Sequence, residues 1–193
     1  MSKESESKTR KPRADSLRNR DLLLTAAKTA FTELGAEAPL EEVARRAGVG
    51  IGTLYRHFPT REALIAAVYV REIEQLAASA EALLAERPAG EALEKWLNLL
   101  IDYMATKRVV APALLAHPGE GSKLYASGGA TILPTLERLT KAASAAGDIR
   151  SDIDFEDVLR LMSGLSLGYE QPGWDAGARR LLSVMMAGLR ARA

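Results

Sequence analysis

The sequence predicts an all-α fold. Apolar residues recur at three- and four-residue steps along most of the chain, glycine and proline punctuate those stretches, and no run alternates with the period of a strand. Composition agrees: aromatic residues make up only 5% of the chain, while Ala, Leu, Glu and Arg, all good helix formers, recur throughout.

Each element can be justified in order. Residues 1–16 are polar and lack periodicity, which predicts a disordered basic arm. From Leu17 the pattern turns helical, with Leu23, Leu24, Ala27, Ala30, Phe31 and Leu34 on one face and Gly35 suited to end the helix. A second, short helix runs from about Pro39 to Ala47, with Leu40, Val43, Ala44 and Ala47 inward and Glu41 and Glu42 at the positive end of its dipole. Gly48 closes it, and a third helix spans roughly Gly50 to Phe58. Pro59 breaks the chain, and Thr60 can cap a fourth helix over 61–86. Further helices are predicted at 89–106, 108–116, 122–146, 155–170 and 174–191. The domains read as an arm (1–16), a small helical unit (17–65) and a larger helical body (66–193).

Composition excludes several function classes. The 193 residues contain no cysteine, which removes disulfides, thiolate nucleophiles and Cys-based metal sites. The two histidines, His57 and His117, cannot build a His-rich metal centre. Asp152, Asp154, Glu156 and Asp157 form an acidic cluster without the glycine and distal glutamate of a calcium loop. Asp154 capping a helix, with Asp157 three residues on, explains it without a metal. No nucleophile–base pair and no phosphate-binding loop is visible, so neither catalysis nor a cofactor is expected. No run reaches the length of a membrane span, and the opening MSKESESKTRKPR lacks a signal-peptide core, so a cytoplasmic protein is expected.

The net charge of +1 conceals an asymmetry: residues 1–61 hold 12 Lys and Arg against 8 Asp and Glu, and the remainder holds 14 against 17. Lys8, Arg10, Lys11, Arg13, Arg18 and Arg20 crowd the arm and the first helix. Such an excess suits a polyanionic partner, although a solubilising tail has the same composition.

The segment from Leu40 to Phe58 is the most informative. Two short helices joined by a tight Gly-containing turn describe a helix-turn-helix. Ala44 lets the helices cross closely, and Val49, Leu54 and Phe58 can fill the core beneath them. Thr53, Tyr55, Arg56 and His57 remain for the exposed surface of a helix able to enter the major groove. Spacing alone also fits a helical protein-interaction module that binds no specific DNA.

These residues resemble the TetR-type bacterial transcriptional repressors. The similarity rests on Ala26 to Phe31 with Gly35, on Leu40 to Ala44, on Ala47-Gly48-Val49, and above all on Gly52-Thr53-Leu54-Tyr55-Arg56-His57-Phe58 followed by Arg61-Glu62-Ala63-Leu64. The resemblance implies a homodimer that binds operator DNA and is released by a small-molecule effector held in the C-terminal domain. It further implies that Thr53, Tyr55, His57 and Arg61 contact phosphate, while Ile51, Gly52 and Arg56 face base edges. One departure stands out: Pro39-Leu40 replaces the threonine with which many such proteins begin the second helix.

In the larger body, Trp96, Leu100, Tyr103 and Met104 share one side of a helix with Lys107, and His117 and Tyr125 follow nearby in sequence. Together they can line an apolar effector cavity with a few polar handles, although aromatic residues at this spacing also suit an ordinary core. The last two helices carry apolar residues on two faces and therefore need two partners. Leu161, Gly164, Leu165 and Gly168 on one helix, with Leu181, Leu182, Met185 and Leu189 on the other, are the expected dimer interface. The family resemblance implies that these helices pair with their two-fold mates as a four-helix bundle.

Overall fold

The computed structural model describes residues 5–116, 119–168, 171 and 173–190, and the side chains among them except those of residues 5–13 and 120. The described chain is carried by α1 (Ser5–Leu34), α2 (Leu40–Arg46), α3 (Ile51–His57), α4 (Arg61–Glu86), α5 (Ala89–Leu115), α6 (Glu120–Ala145), α7 (Phe155–Leu165) and α8 (Trp174–Leu189). Among the described residues the only β pairing is an isolated bridge between Ile149 and Arg190.

Three boundaries depart from the sequence reading. Helix α1 begins at Ser5 rather than near Leu17, so residues 5–16 are helical and not disordered. Lys, Arg and Glu extend a helix readily once a packed segment downstream has nucleated it. The segments expected at 89–106 and 108–116 form a single helix, because no breaker separates Thr106 from Arg108 and the helix continues through Pro112. Helix α7 stops at Leu165 instead of residue 170: Gly168 adopts a φ of 73°, and the Trp174 indole donates to the Leu165 carbonyl at 2.7 Å.

Helices α1, α2 and α3 form a small unit around Leu23, Phe31, Val43 and Leu54, all fully buried. Long helix α4 leaves this unit and enters the body, where central α5 packs against α1, α4, α6 and α8. Trp96 anchors that core with no exposed surface, and its indole donates to the Leu76 carbonyl at 2.8 Å. Without that acceptor, the buried N–H would cost about 1–3 kcal/mol.

Polar contacts fix how the small unit meets α4. Arg71 donates to the Asp21 carbonyl and the Thr25 hydroxyl, both at 3.0 Å. Lys28 pairs with the buried carboxylate of Glu72 at 2.5 Å. At the other end of the body, Arg179 of α8 donates to the Asn98 side chain at 3.2 Å and pairs with Asp102 on α5. Among the described residues no helix is long and apolar enough to cross a membrane.

Candidate nucleic-acid interface and inner cavity

The turn between α2 and α3 depends on Gly48. At a φ of 69° it occupies a conformation that disfavours any residue with a Cβ. Its N–H meets the Arg45 carbonyl at 3.1 Å and the next N–H, from Val49, meets the Ala44 carbonyl at 3.0 Å. That pair satisfies the last carbonyls of α2 and aims the chain into α3. Ala44, Leu54 and Phe58 are buried beneath the crossing, and Val49 packs against them.

With Leu54 as its single buried residue, α3 turns the rest of its surface outward. Ile51, Gly52, Tyr55 and Arg56 are exposed, and Thr53 and His57 are half-buried. A Cβ placed on Gly52 would meet nothing within 4 Å, so the glycine leaves the backbone open to whatever approaches. Arg20 of α1 stands with its guanidinium 5.2 Å from the Phe58 ring centroid, which puts a further cation beside the end of α3. Arg20 was legible only as part of the basic run; its place beside α3 needs the helix crossing. Lys8, Arg10, Lys11 and Arg13 have side chains outside those described.

Arg61 differs from the other candidates. Its Nη1 donates to the carbonyls of Ala36 and Ala38 at 2.9 and 2.7 Å, so it braces the loop from α1 to α2. The cations of α2 are similarly engaged. Glu42 accepts from Arg45 Nε and Arg46 Nε, each at 2.7 Å, and Arg46 also reaches Glu33 of α1 at 2.7 Å. The hydrogen bonds from Arg45 and Arg46 lower the Glu42 carboxyl from its ordinary 4.5 to about 2.

A cavity of about 340 Å³ lies between α5, α6 and α7. Of the candidates, Leu100, Tyr103, Met104 and Tyr125 line it together with Lys107. Trp96 does not: it is wholly buried in the α4–α5 core, where its indole is committed to Leu76. His117 lies outside the described residues. The remaining wall, which includes Ile132, Leu136, Leu159 and Met162, comes from α6 and α7. Those residues were not among the cavity candidates, because helical period alone does not tell a cavity wall from a core.

Tyr103 closes one side of this cavity, donating to the Tyr69 hydroxyl at 3.1 Å. Burial, and then the bond to Tyr69, pushes its phenol well above the ordinary range. Tyr69 itself escaped notice in the sequence because it sits on the inward face of α4 with ordinary helical spacing.

The outer surface of α7 and α8 carries an apolar stripe. Leu161, Leu181 and Val184 are exposed by 43%, 56% and 69%, Gly164 and Gly188 stand open beside them, and Leu165 and Met185 are half-buried. Three residues expected on this face are elsewhere. Leu182 and Leu189 are exposed by only 1% and 4% because they point into the protomer core with Ala178 and Met186. Gly168 lies in the turn after α7, so it does not form a helix-contact pair with Gly164. Val184 replaces them as the most exposed large residue of α8.

The acidic cluster is tied up locally. The Asp154 carboxylate caps α7 by accepting from the Asp157 N–H at 2.9 Å, Asp152 pairs with Arg150, and Glu156 and Asp157 pair with Arg160. Among the described residues no group of His, Asp and Glu is arranged to hold a metal ion.

Comparison with known proteins joins these parts. Residues 23–68 match the family described as bacterial regulatory proteins, tetR family, and residues 88–191 match the transcriptional regulator SbtR-like C-terminal domain. A TetR transcriptional regulator from Streptomyces coelicolor is 45% identical, with a TM-score of 0.79 over 90% of this chain and 99% of that one. A TetR transcription regulatory protein from Mycobacterium vanbaalenii is 34% identical, with a TM-score of 0.76 over 93% and 99%. An HTH-type transcriptional regulator from Staphylococcus aureus is 30% identical over 105 residues, which span 53% of this chain and 54% of that relative. The helix-turn-helix at one end and the matching helical body at the other have the same explanation: the chain belongs to the TetR family of DNA-binding transcriptional regulators.

Proposed function

We propose that the protein is a repressor that grips operator DNA as a two-fold dimer and lets go when a small molecule fills the α5–α6–α7 cavity. The observation that carries the DNA reading is the outward surface of α3, where Arg56 and Ile51 flank an open Gly52. In the major groove, Arg56 reads a base edge and the Ile51 side chain supplies an apolar contact. The Thr53 and Tyr55 hydroxyls and His57 hold phosphates on either side and fix the register. Arg61 serves this contact from behind, by holding the loop that sets α2 against α1.

One such unit covers too few base pairs for useful specificity, so two half-sites related by a dyad are needed. The exposed leucines and Val184 on α7 and α8 support an isologous contact that joins two copies. A role on the chromosome places the protein in the cytoplasm, and no catalysis is assigned to it.

Selection of bound sequences from a random DNA pool tests the reading. Enrichment of an inverted repeat with half-sites about one helical turn apart supports it. Recovery of no common sequence, with binding that vanishes as salt rises, overturns it in favour of non-specific attraction.

A further inference from the structure

We infer that the cavity between α5, α6 and α7 is built for an apolar monocarboxylate: a ligand with one hydrocarbon body and one carboxylate head. This rests on reading the cavity as the effector site and adds the chemical class that fills it.

Among the described residues, Lys107 is the only charged side chain in a wall otherwise made of leucine, isoleucine, methionine, aromatic residues and small polar groups. Its ammonium stands 4.3 Å from the Tyr125 ring centroid and has no carboxylate partner among those residues. The ring face holds the ammonium in place yet leaves its N–H groups unspent. An ammonium beside an apolar wall loses hydration when a ligand displaces water, and only an acceptor with negative charge restores the lost interaction well.

Three of the other hydroxyls in the wall do not compete for that role. The Ser163 and Ser166 hydroxyls donate to the carbonyls of Leu159 and Ser163, at 2.8 and 2.5 Å, and the Tyr103 hydroxyl donates to Tyr69. Their donor hydrogens are committed within the protein, which leaves the Lys107 ammonium and the Tyr125 phenol facing the cavity, and only the ammonium carries a charge to meet a carboxylate. One cation with no arginine fork suits a single negative charge better than a phosphate ester. The volume of about 340 Å³ lies at the small end of ligand pockets, which suits a medium-length acyl chain or a single substituted ring.

The test uses the full-length protein without DNA and three probes of matched length: octanoate, octanamide and octylamine. Calorimetry is expected to rank octanoate about tenfold or more ahead of octanamide, with octylamine last. Lys107→Met keeps the stem against Tyr125 but removes the charge; it should equalise acid and amide without weakening the amide. Lys107→Arg should keep the preference. Amide binding as tight as acid in the wild type, or an acid preference that survives Lys107→Met, overturns the inference. So does the absence of binding by every straight-chain acid from hexanoate to dodecanoate at about 1 mM. The wild-type ranking needs no variant to fold. Release from selected DNA is measured separately: acid-selective binding without release refutes the effector reading alone, and release by a neutral molecule with no acid preference refutes the carboxylate alone.

Discussion

The Tyr69 hydroxyl, on α4, donates to the main-chain carbonyl of Tyr125, on α6, at 3.1 Å. The two rings also stack, with centroids 6.1 Å apart and planes 14° from parallel. Helix α4 is braced to the DNA-reading unit by Arg71 and Glu72, while Tyr125 lines the cavity. One buried phenol therefore connects the wall that a ligand would touch to the helix that carries the reading unit. Gly128, a turn further along α6, makes the approach possible: a Cβ there would lie 2.6 Å from the Tyr69 oxygen.

That geometry predicts a measurable coupling. Tyr69→Phe removes the acceptor of the Tyr103 hydroxyl and should cost about 1–3 kcal/mol in urea unfolding. Gly128→Ala should cost a similar ~1–3 kcal/mol by overpacking. The double variant should lose less than the two losses added together, because Tyr69→Phe takes away the atom that the new methyl would strike. Strict additivity in a double-mutant cycle would show that the hydroxyl and Gly128 do not share this space.

Much of this was legible in the sequence, and the misses have physical causes. The helix-turn-helix could be read because its turn needs Gly48 and its small core needs Ala44 and Leu54 at fixed offsets. The same helical period could not distinguish Trp96 in the core from Tyr103 at the cavity, since both face inward from α5. On α8 it could not separate Leu181 from Leu182, because adjacent residues lie only about 100° apart around a helix and the apolar stripe is broad. The resemblance put Arg61 among the phosphate contacts, and its two main-chain acceptors, the carbonyls of Ala36 and Ala38, leave no mark on side-chain pattern.

Base reading and phosphate holding on α3 should separate by mutation. Arg56→Ala is expected to cost about 1–3 kcal/mol on the selected operator and little on random DNA. Tyr55→Phe should weaken both alike, since a hydroxyl on phosphate carries no sequence information. Fluorescence anisotropy with the two DNAs checks both variants. Equal losses for Arg56→Ala on operator and random DNA would move that residue to the phosphate group.

Arg61→Ala distinguishes bracing from phosphate contact. Loss of two charge-assisted bonds, in a side chain still 25% exposed, should lower stability by about 1–2 kcal/mol. Operator affinity then falls because the unit loosens, and the slope of log affinity against log salt stays as it was. A slope lower by about one unit would instead show a phosphate neutralised by Arg61 itself.

Glu42 gives a pH signature. Its folded carboxyl sits near 2, below the ordinary 4.5, because Arg45 and Arg46 bond to the ionised form. The stabilisation is therefore complete above the unfolded value and disappears as pH falls through the window from 4.5 to about 2. Glu42→Gln should be less stable than wild type at neutral pH, with the gap closing on acidification through that window. A gap in urea midpoints that stays constant down to pH 2 would rule out this linkage.

Adjacent residues on α8 test the dimer surface against the core. Leu181 is exposed by 56% and Leu182 by 1%, so the same substitution should fail in two different ways. Leu181→Glu places a charge on the surface proposed to meet a second copy, and a two-fold axis brings two such charges near each other. Sedimentation should show a folded monomer, with unchanged helical circular dichroism and weakened binding to a palindromic operator. Leu182→Glu instead forces a carboxylate among Ala178, Met186 and the rest of the core, where it has no partner. That protein should lose its cooperative thermal transition. Val184→Glu, at the most exposed large position of α8, should repeat the Leu181→Glu result. If both surface variants remain dimers at micromolar concentration, the contact lies on another face, and the apolar stripe on α8 needs a different partner.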